Sequence, residues 1–460
     1  MNQVNNSKYL VAVVGAGPAG LYAAKHLVNE GSHVMLFNRD IKPGGLAEYG
    51  IYPDKYKMKE GLRAQFRQIL TSPNLDYFGN VQINQDGDMT LAELHRMGFQ
   101  AVLVTVGAQG TKWLKLPGED LTGVYHAKDI VYHYNRLPPF SHGDFRIGKN
   151  VAVIGAGNVS LDIVHWLSDM VNVDKVTALI RRGPAEVKFG RAELGYVIGQ
   201  VDMPALKVEL ERVTPVLTSM GQNPMDFWTM LRMVSFKSDP PHSPTRFNMQ
   251  FLASPVRILG DESGHVNCLE FEENTLVKQG DQTRAKGLGI FKQMPVDSVI
   301  FAIGDKVDTE LGLPTDGHEY IKNPDPRFPI DGVSYEAYDH LACKPMEGIF
   351  LAGWSRKAST GLVGIARRDG INGARAVLQY LQTLPPLEKS PDETSQAICE
   401  RIRCREKPAI GLGDLALLEE VEHREAERRN LVEFKFDNNE EMLKAMRLSV
   451  GTPMMVVRDQ

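Results

Sequence analysis

The sequence predicts an α/β protein built from two Rossmann-like nucleotide-binding domains, one inserted into the other. Two glycine-rich fingerprints carry this prediction: VAVVGAGPAG, which contains Gly15, Gly17 and Gly20, and VAVIGAGNVS, which contains Gly155 and Gly157. Each follows an apolar run typical of a buried strand and opens a helical pattern, the context in which such glycines bind a pyrophosphate. Two fingerprints in one chain indicate an enzyme that holds two nucleotides, most simply a flavin nucleotide and a nicotinamide nucleotide.

The first domain starts with a strand over 10–14, a helix over 21–30 and a strand over 34–37, as the apolar periodicity indicates. A second glycine-rich loop, KPGGLAEYG, follows the second strand, and its small residues allow a ligand to approach the backbone closely. The apolar run 101–106 predicts a buried parallel strand that ends at Gly107.

The second domain repeats this order, with a strand over 151–154, a helix over 160–170 and a strand over 176–180. Residues 205–295 are expected to be mixed and β-rich. The apolar run 299–303 then predicts a return to a buried parallel strand.

A further strand over 349–352 and a helix over 361–381 complete the pattern. Together these elements predict a first flavin-domain segment over 1–113, an inserted NADP domain over 114–337 and a second flavin-domain segment with a C-terminal tail over 338–460. The charged stretch LLEEVEHREAERR near the C-terminus is expected to be a solvated helix.

Composition excludes several other classes of protein. The formal net charge is −5 and no basic run occurs, so nucleic-acid binding is not expected. No window contains the roughly 18 apolar residues that span a membrane, and the start MNQVNNSKY resembles neither a signal nor a transit peptide, so a cytoplasmic or mature protein is expected. The four cysteines form no C-x-x-C pair, which disfavours a redox dithiol and a ferredoxin-type cluster, and no metal site is expected.

Residues near the strand ends indicate which nucleotide each fingerprint binds. Asn38 occupies the position where an acidic residue usually holds a ribose, and its amide is still able to bond a hydroxyl. Arg181 and Arg182 follow the second strand of the inserted domain, where guanidinium groups favour the 2′-phosphate of NADP. The second fingerprint therefore predicts NADP(H), and the first is expected to bind the flavin nucleotide.

A third group of residues, Gly353-Trp354 and Thr360-Gly361, lies between the last strand and the last long helix. The N-terminus of that helix carries a partial positive charge, which would stabilise a reduced, anionic flavin ring. Trp354 is expected to shield the ring or to stack on it.

These motifs together resemble the adrenodoxin reductase family of FAD-containing NADPH–ferredoxin reductases. The resemblance covers nearly the whole chain and rests on VAVVGAGPAGLYAA, GGLAEYGIYPD, VAVIGAGNVSLDI, RRGPAEVKFGRAEL, AGWSRKASTGLVG and FKFDNNEEML. The Gly353-Trp354 pair is the most diagnostic, because related reductases and glutamate synthase small subunits usually carry Gly-Asp there. The N-terminal iron–sulfur domain of the synthase subunits is not expected in this chain.

The resemblance also implies roles for single residues. Glu193 matches a family glutamate near the nicotinamide, and Lys55 stands where the family has a histidine that works with it. Trp354 and Thr360 complete the expected catalytic set. The family's Gly-Pro before Thr360 is Ala358-Ser359 here. The residues expected to bind the cofactors are Gly15, Gly17, Pro18, Ala19, Gly20, Asn38, Gly45, Leu46, Gly107, Gly155, Gly157, Asn158, Val159, Arg181, Arg182, Glu193, Gly353, Trp354, Gly361, Leu362 and Val363.

The function that this resemblance implies is electron transport. NADPH gives a hydride to FAD, which then passes single electrons to a ferredoxin or a similar carrier protein. Two alternatives remain at this stage. The chain is either an electron-entry flavin subunit of a larger oxidoreductase with partner subunits, like the glutamate synthase small subunit, or a flavin-binding structural subunit with impaired catalysis, for which Asn38, Lys55 and Ala358-Ser359 are the motivation.

Overall fold

The computed structural model describes residues 7–235, 243–280, 282–385, 391–405 and 407–447. Its strands are β1 (Tyr9–Val14), β2 (Ser32–Phe37), β3 (Leu75–Phe78), β4 (Ala101–Val104), β5 (Gly110–Thr111), β6 (Val124–His126), β7 (Asn150–Ile154), β8 (Lys175–Ile180), β9 (Arg246–Phe251), β10 (Ala253–Gly260), β11 (Val266–Gln279), β12 (Gln282–Pro295), β13 (Ser298–Phe301), β14 (Asp305–Lys306), β15 (Thr315–Asp316), β16 (Glu319–Tyr320), β17 (Glu336–Asp339) and β18 (Lys344–Leu351).

Its α-helices are α1 (Pro18–Asn29), α2 (Leu46–Tyr49), α3 (Tyr56–Leu70), α4 (Leu91–Arg96), α5 (Ala127–Tyr134), α6 (Asn158–Trp166), α7 (Arg191–Val197), α8 (Met203–Ser219), α9 (Pro224–Ser235), α10 (Val363–Leu381), α11 (Pro391–Arg403), α12 (Leu412–Arg428) and α13 (Asn439–Ala445). A π-helical turn, Leu167–Val171, continues α6 to the end of the helix expected over 160–170. Among the described residues no helix is long and apolar enough to cross a bilayer.

The chain forms two compact units. The first contains Met1–Gly110, Tyr132–His142 and Gly304–Gln460, and the second contains Thr111–Val131 and Gly143–Ile303. The first unit therefore includes residues 304–337, which the sequence analysis assigns to the inserted domain. The physical reason is that apolar side chains of this segment, such as Val307 and Tyr320, pack into the same apolar cluster as side chains of β4 and β18.

The first unit is built on a six-stranded sheet in the order β17-β18-β4-β1-β2-β3, in which only the β17–β18 pair is antiparallel. Successive residues of β1 enter two different apolar clusters, Val11 and Val13 one and Leu10 and Ala12 the other, so both faces of the sheet are covered. Helices α1 and α10 pack together on one of these faces, where Gly370 lies against the backbone of Ala19. The sheet thus presents the carboxyl ends of its parallel strands at one edge.

The second unit has a parallel sheet in the order β6-β13-β7-β8-β9. A separate antiparallel sheet, β10-β11-β12, belongs to the same unit, and side chains of the two sheets such as Phe301 and Phe271 share one apolar cluster. The expectation of a mixed, β-rich segment over 205–295 is correct only for its later part. Helices α8 and α9 occupy the first part of this segment. Asp202 stabilises the start of α8, because its Oδ1 accepts from Ala205 N at 3.0 Å.

Helix α12 confirms the expected C-terminal helix but corrects its description as solvated. Leu415, Leu418, Glu422 and Ala426 are buried and form one side of the helix, because their spacing of three and four residues places them on one face. A buried glutamate in such a row indicates a polar partner inside the first unit.

Candidate cofactor-binding site

Glycine-rich loops after β1 and β2 meet at the carboxyl edge of the first sheet. Gly15 N donates to Phe37 O at 2.7 Å, and Gly44 N donates to Ala16 O at 2.7 Å. These backbone bonds join the first fingerprint to the loop KPGGLAEYG, which the sequence separates by more than a helix and a strand. The two loops therefore form one surface, as the order of the parallel strands requires.

Gly15 and Gly20 are glycines for steric reasons. Gly15 has a φ of +107°, and a Cβ on Gly20 would lie 1.9 Å from the carbonyl oxygen of Gly15. Thr105, which sequence reasoning missed, completes this contact because its hydroxyl lies within 2.8 Å of Gly15 O. Helix α1 is thereby held tightly against the ends of β1 and β4, where the fingerprint requires close packing.

Gly17 has a different environment. It is the N-cap residue of α1 with no side chain bonded to the helix end, and a Cβ built on it would meet no atom within 4 Å. The first turn of α1 therefore opens into space, where its N–H groups and the helix dipole favour an anion. This open end fits the pyrophosphate of a dinucleotide.

Asn38 is committed to the protein rather than open to a ribose. Its Oδ1 accepts from Ala16 N at 3.1 Å, and its Nδ2 donates to Asp40 O at 2.8 Å and to Lys42 O at 3.1 Å. Both amide hydrogens are used, and the side chain is buried. Asn38 therefore fixes the shape of the two glycine-rich loops, a role that an acidic residue without amide hydrogens does not fill in the same way.

The loops after β2 and β4 supply the other predicted flavin residues. Gly45 has a φ of +50°, and a Cβ there would lie 3.1 Å from Gly17 Cα. Leu46 follows it and is half-buried. Gly107, with a φ of +79°, donates its N–H to the hydroxyl of Ser355 at 3.0 Å. The structure brings these residues to the same edge of the sheet as the first fingerprint.

The turn after β18 is fixed by a residue that sequence reasoning missed. Asp369 on α10 accepts the N–H of Gly353 at 2.6 Å and binds the guanidinium of Arg356 at 2.5 Å. Trp354 is half-buried and donates its indole N–H to Thr360 O at 3.0 Å. Asp369 gives only a weak sequence signal, because it follows two arginines in an otherwise ordinary helical pattern.

The loop before α10 has its own anchor. Ser359 has a φ of +51°, which a proline cannot adopt, and its hydroxyl accepts from Asp305 N at 2.7 Å. Gly361 has a φ of +78°, and Leu362 and Ile365 beside it are exposed. The replacement of the family's proline by Ser359 therefore comes with a hydrogen bond that holds the loop in place.

A buried cluster of charged side chains, the Glu48 cluster, supports the second glycine-rich loop. Glu48 binds Arg63 at 2.6 Å and Lys435 at 2.7 Å, while Lys42 lies 3.6 Å from Glu48 and 2.5 Å from Glu422 on α12. Burial by itself raises the pKa of Glu48, but the surrounding cations outweigh burial and hold that pKa well below its usual range. The C-terminal segment is thus bonded to the loop beneath the candidate flavin site.

Lys59 at the margin of this cluster gives a pH-dependent prediction. It is 1% exposed, donates to Asn135 Oδ1 at 3.0 Å and lies 3.6 Å from Glu433. Burial, together with the charge of Lys435, lowers the pKa of Lys59 from 10.5 to about 8. Between these two values the unfolded chain binds more protons than the folded chain, so the free energy of unfolding rises with pH.

The Lys59→Met variant lacks this ionisation. We compare the free energy of unfolding of the variant minus that of wild type at two pH values. This difference should be more favourable to the variant at pH 7 than at pH 10 by up to about 3 kcal/mol, the free energy of the pKa shift. Chemical denaturation at both pH values measures the difference, with Lys57→Met at an exposed position of α3 as the control. An equal difference at pH 7 and pH 10 would contradict the assignment.

The second unit repeats the fingerprint geometry. Gly155 has a φ of +140°, and a Cβ there would lie 2.3 Å from Ala302 O, whereas a Cβ on Gly157 would meet nothing within 4 Å. Gly157 is the N-cap of α6 without a side-chain cap. Asn158 accepts the N–H of Gly190 at 2.9 Å, and Val159 is exposed. This unit too has an open, anion-favouring helix end.

Two arginines stand at the end of β8 in this unit. Arg181 is exposed and Arg182 half-buried, and within the described part of the chain no carboxylate lies within 4.0 Å of either guanidinium. Glu186 is bonded to Gly183 N at 3.0 Å and to Gln222 at 2.5 Å instead. The arginines therefore keep a positive field that suits a phosphate.

Glu193 and Lys55 each lie near the start of a helix, Glu193 in the second unit and Lys55 in the first. Glu193 is half-buried in the first turn of α7, and its Oε2 folds back to within 2.5 Å of where a Cβ on Gly190 would lie. Lys55 ends the 3₁₀ turn Pro53–Lys55 in the first unit and is half-exposed. Their catalytic roles remain predictions.

Comparison with known proteins supports the same picture. The model of the pyridine nucleotide-disulphide oxidoreductase family matches residues 9–192. Mitochondrial NADPH:adrenodoxin oxidoreductase of Salvelinus fontinalis is 26% identical over 473 residues, covering 95% of this chain and 91% of the relative. The NADPH-ferredoxin reductase FprA of Mycobacterium leprae is 25% identical over 465 residues, covering 94% and 97%.

A solved structure gives the fold directly. Mycobacterium tuberculosis FprA in complex with NADPH superimposes with a TM-score of 0.79 at 23% identity, covering 95% of this chain and 99% of that chain. The predicted fold class, a mixed α/β fold with two nucleotide-binding domains, is therefore confirmed. Within that class the resemblance to the adrenodoxin reductase family, which the motifs predict, is confirmed over nearly the whole chain.

Proposed function

We propose that the protein is an FAD-containing NADPH–ferredoxin reductase of the adrenodoxin reductase type. The observation that carries the proposal is the pairing of two open, glycine-capped helix ends, at Gly17 and at Gly157, with Arg181 and Arg182 beside only the second. The first helix end suits the pyrophosphate of FAD. The second helix end suits the pyrophosphate of NADPH, and the arginines beside it suit the 2′-phosphate. Relatives with these activities match nearly the whole chain.

When bound, FAD would supply the chemistry of accepting a hydride from NADPH and giving single electrons to a protein carrier. The residues of the chain bind and orient. The first turn of α1 holds the pyrophosphate, while Gly45, Leu46 and Gly107 allow close approach of the flavin nucleotide. The N-terminus of α10, capped by Leu362 without a side-chain bond, places partial positive charge near the ring.

Trp354 is proposed to cover one side of the flavin ring. The indole N–H of Trp354 donates to Thr360 O, and this hydrogen bond fixes the indole ring against the loop that precedes α10. Glu193 is proposed to lie at the nicotinamide, with Lys55 as a hydrogen-bond donor in place of the family's histidine. In this proposal Lys55 helps to orient the nicotinamide by hydrogen bonding.

The test is NADPH oxidation coupled to a ferredoxin, with cytochrome c as the final visible acceptor. We expect cytochrome c reduction to require NADPH, bound FAD and the ferredoxin, so that leaving out any one of the three stops the reaction. A flavin-containing preparation that oxidises NADPH but never reduces any one-electron acceptor would contradict the proposal and favour a structural subunit.

We propose a cytoplasmic location and electron transfer to a free ferredoxin-like carrier, with an electron-entry subunit of a larger complex as the alternative. Fractionation of the native cells tests the first, and size-exclusion chromatography of the native protein with identification of co-purifying chains tests the second. A stoichiometric partner that restores electron transfer would favour the electron-entry subunit.

A further inference from the structure

The two arginines at the end of β8 are hydrogen-bonded to the antiparallel sheet of the second unit and to the segment that leads into it. The carbonyl oxygen of Arg181 accepts from Asn274 Nδ2 at 2.9 Å, and the carbonyl oxygen of Arg182 accepts from Leu252 N at 3.1 Å. The guanidinium of Arg182 also reaches Thr283 O, on β12, at 3.5 Å. This sheet is not part of the parallel sheet that carries the fingerprint.

Asn274 is the centre of these contacts. It is 4% exposed and lies on β11 beside the point where the pairing of β11 with β12 shifts register. Its Nδ2 donates to Ser254 Oγ at 2.8 Å as well as to Arg181 O, and its backbone N–H donates to Leu252 O at 2.8 Å. Both amide hydrogens of the side chain and the backbone N–H are thus used around the Arg181–Arg182 turn.

We propose that Asn274 is the positioning residue that sets the preference of this protein for a 2′-phosphorylated nicotinamide nucleotide. The inference rests on the proposed function and deepens it. Long arginine side chains bind a ligand more weakly when their backbone is free to move, because ordering the backbone and the side chains on binding then costs conformational entropy. Asn274 touches neither the nucleotide nor the fingerprint loop in this scheme. It acts by fixing the backbone from which both guanidinium groups extend.

Removing the amide should therefore weaken only the recognition of the 2′-phosphate. For Asn274→Ala we expect the KM for NADPH to rise about fivefold to tenfold, while kcat and the KM for NADH stay within about twofold. Ser254→Ala is the matched control, since it removes the other acceptor of the same Nδ2 and leaves the bond to Arg181 in place. Asn274→Asp tests the amide hydrogens at nearly constant volume and should behave like Asn274→Ala.

Direct binding separates this inference from the proposed function. Calorimetry with 2′,5′-ADP and 5′-ADP measures the 2′-phosphate preference without flavin or turnover. If wild type shows no preference, the proposed function fails. If wild type shows it and Asn274→Ala keeps it unchanged, only the role of Asn274 is overturned.

A double-mutant cycle excludes a purely structural effect. In a background that already carries Arg181→Ala and Arg182→Ala, Asn274→Ala should change the ratio of 2′,5′-ADP to 5′-ADP affinity no further. A loss of affinity for both ligands alike, or a further loss of preference in that background, would show that Asn274 does not act through the arginines. Thermal melting of each variant monitors folding alongside.

Discussion

Alanine at Gly20 should destabilise the protein, whereas alanine at Gly17 should only remove its cofactor. A Cβ on Gly20 would lie 1.9 Å from the backbone oxygen of Gly15, so α1 has to move away from the sheet. We expect Gly20→Ala to cost about 3 kcal/mol or more of unfolding free energy even without flavin, because overpacking against backbone is not relieved by a side-chain rotation.

Gly17→Ala is the matched variant in the same loop. Gly17 has a φ of −76°, which alanine adopts without strain, and its Cβ would meet no protein atom within 4 Å. The cost to the flavin-free protein should stay below about 1 kcal/mol, the range of an N-cap change. The methyl group would nevertheless occupy the space from which a pyrophosphate approaches the helix end.

Denaturation of the flavin-free proteins and flavin content after purification measure the two effects separately. The expected pattern is an unstable Gly20→Ala protein and a stable Gly17→Ala protein that has lost its flavin. Full flavin content in Gly17→Ala would contradict the placement of the pyrophosphate at α1.

Replacing both Arg181 and Arg182 by alanine should convert an NADPH enzyme into one with little preference. Charge-assisted hydrogen bonds contribute about 1.5–3 kcal/mol each, so the loss of two predicts a rise in the KM for NADPH of at least about 100-fold. NADH has no 2′-phosphate, and its KM should change by less than about threefold.

Steady-state rates with the two nucleotides measure this change. Arg257→Ala is the control, because Arg257 is an exposed arginine of the same unit that is paired with Glu270 at 3.1 Å. It should leave both KM values unchanged. Equal increases for NADPH and NADH in the double variant would remove the assignment of the 2′-phosphate to this strand end.

Much of the fold could be predicted because its signals are local. A buried parallel strand, a glycine turn and a helix start lie within about a dozen residues at each fingerprint, and steric conflict at Gly15, Gly20 and Gly155 leaves glycine little alternative. The strand-end position of Arg181 and Arg182 is equally local. For the same reason β1, β2, β7 and β8 agree with the patterns to within two residues.

The parts that sequence reasoning missed depend on contacts between distant segments. Glu48, on α2, is buried among cations that include Lys435, a residue close to the C-terminus. Asn38 looks like a weakened ribose ligand in sequence, yet its amide is used by backbone groups of two loops. Asp369 and Asn274 are ordinary polar residues of a helix and a strand until the fold brings Gly353 and Arg181 to them.

In the proposed function, one chain binds a flavin and reduces it with a 2′-phosphorylated nucleotide. An anaerobic titration of the purified protein with NADPH and then with NADH, following the flavin absorption band, tests it most directly. We expect a flavin band that NADPH bleaches near stoichiometry and that NADH bleaches only in large excess. A preparation without flavin, or a band that neither nucleotide bleaches, would contradict it.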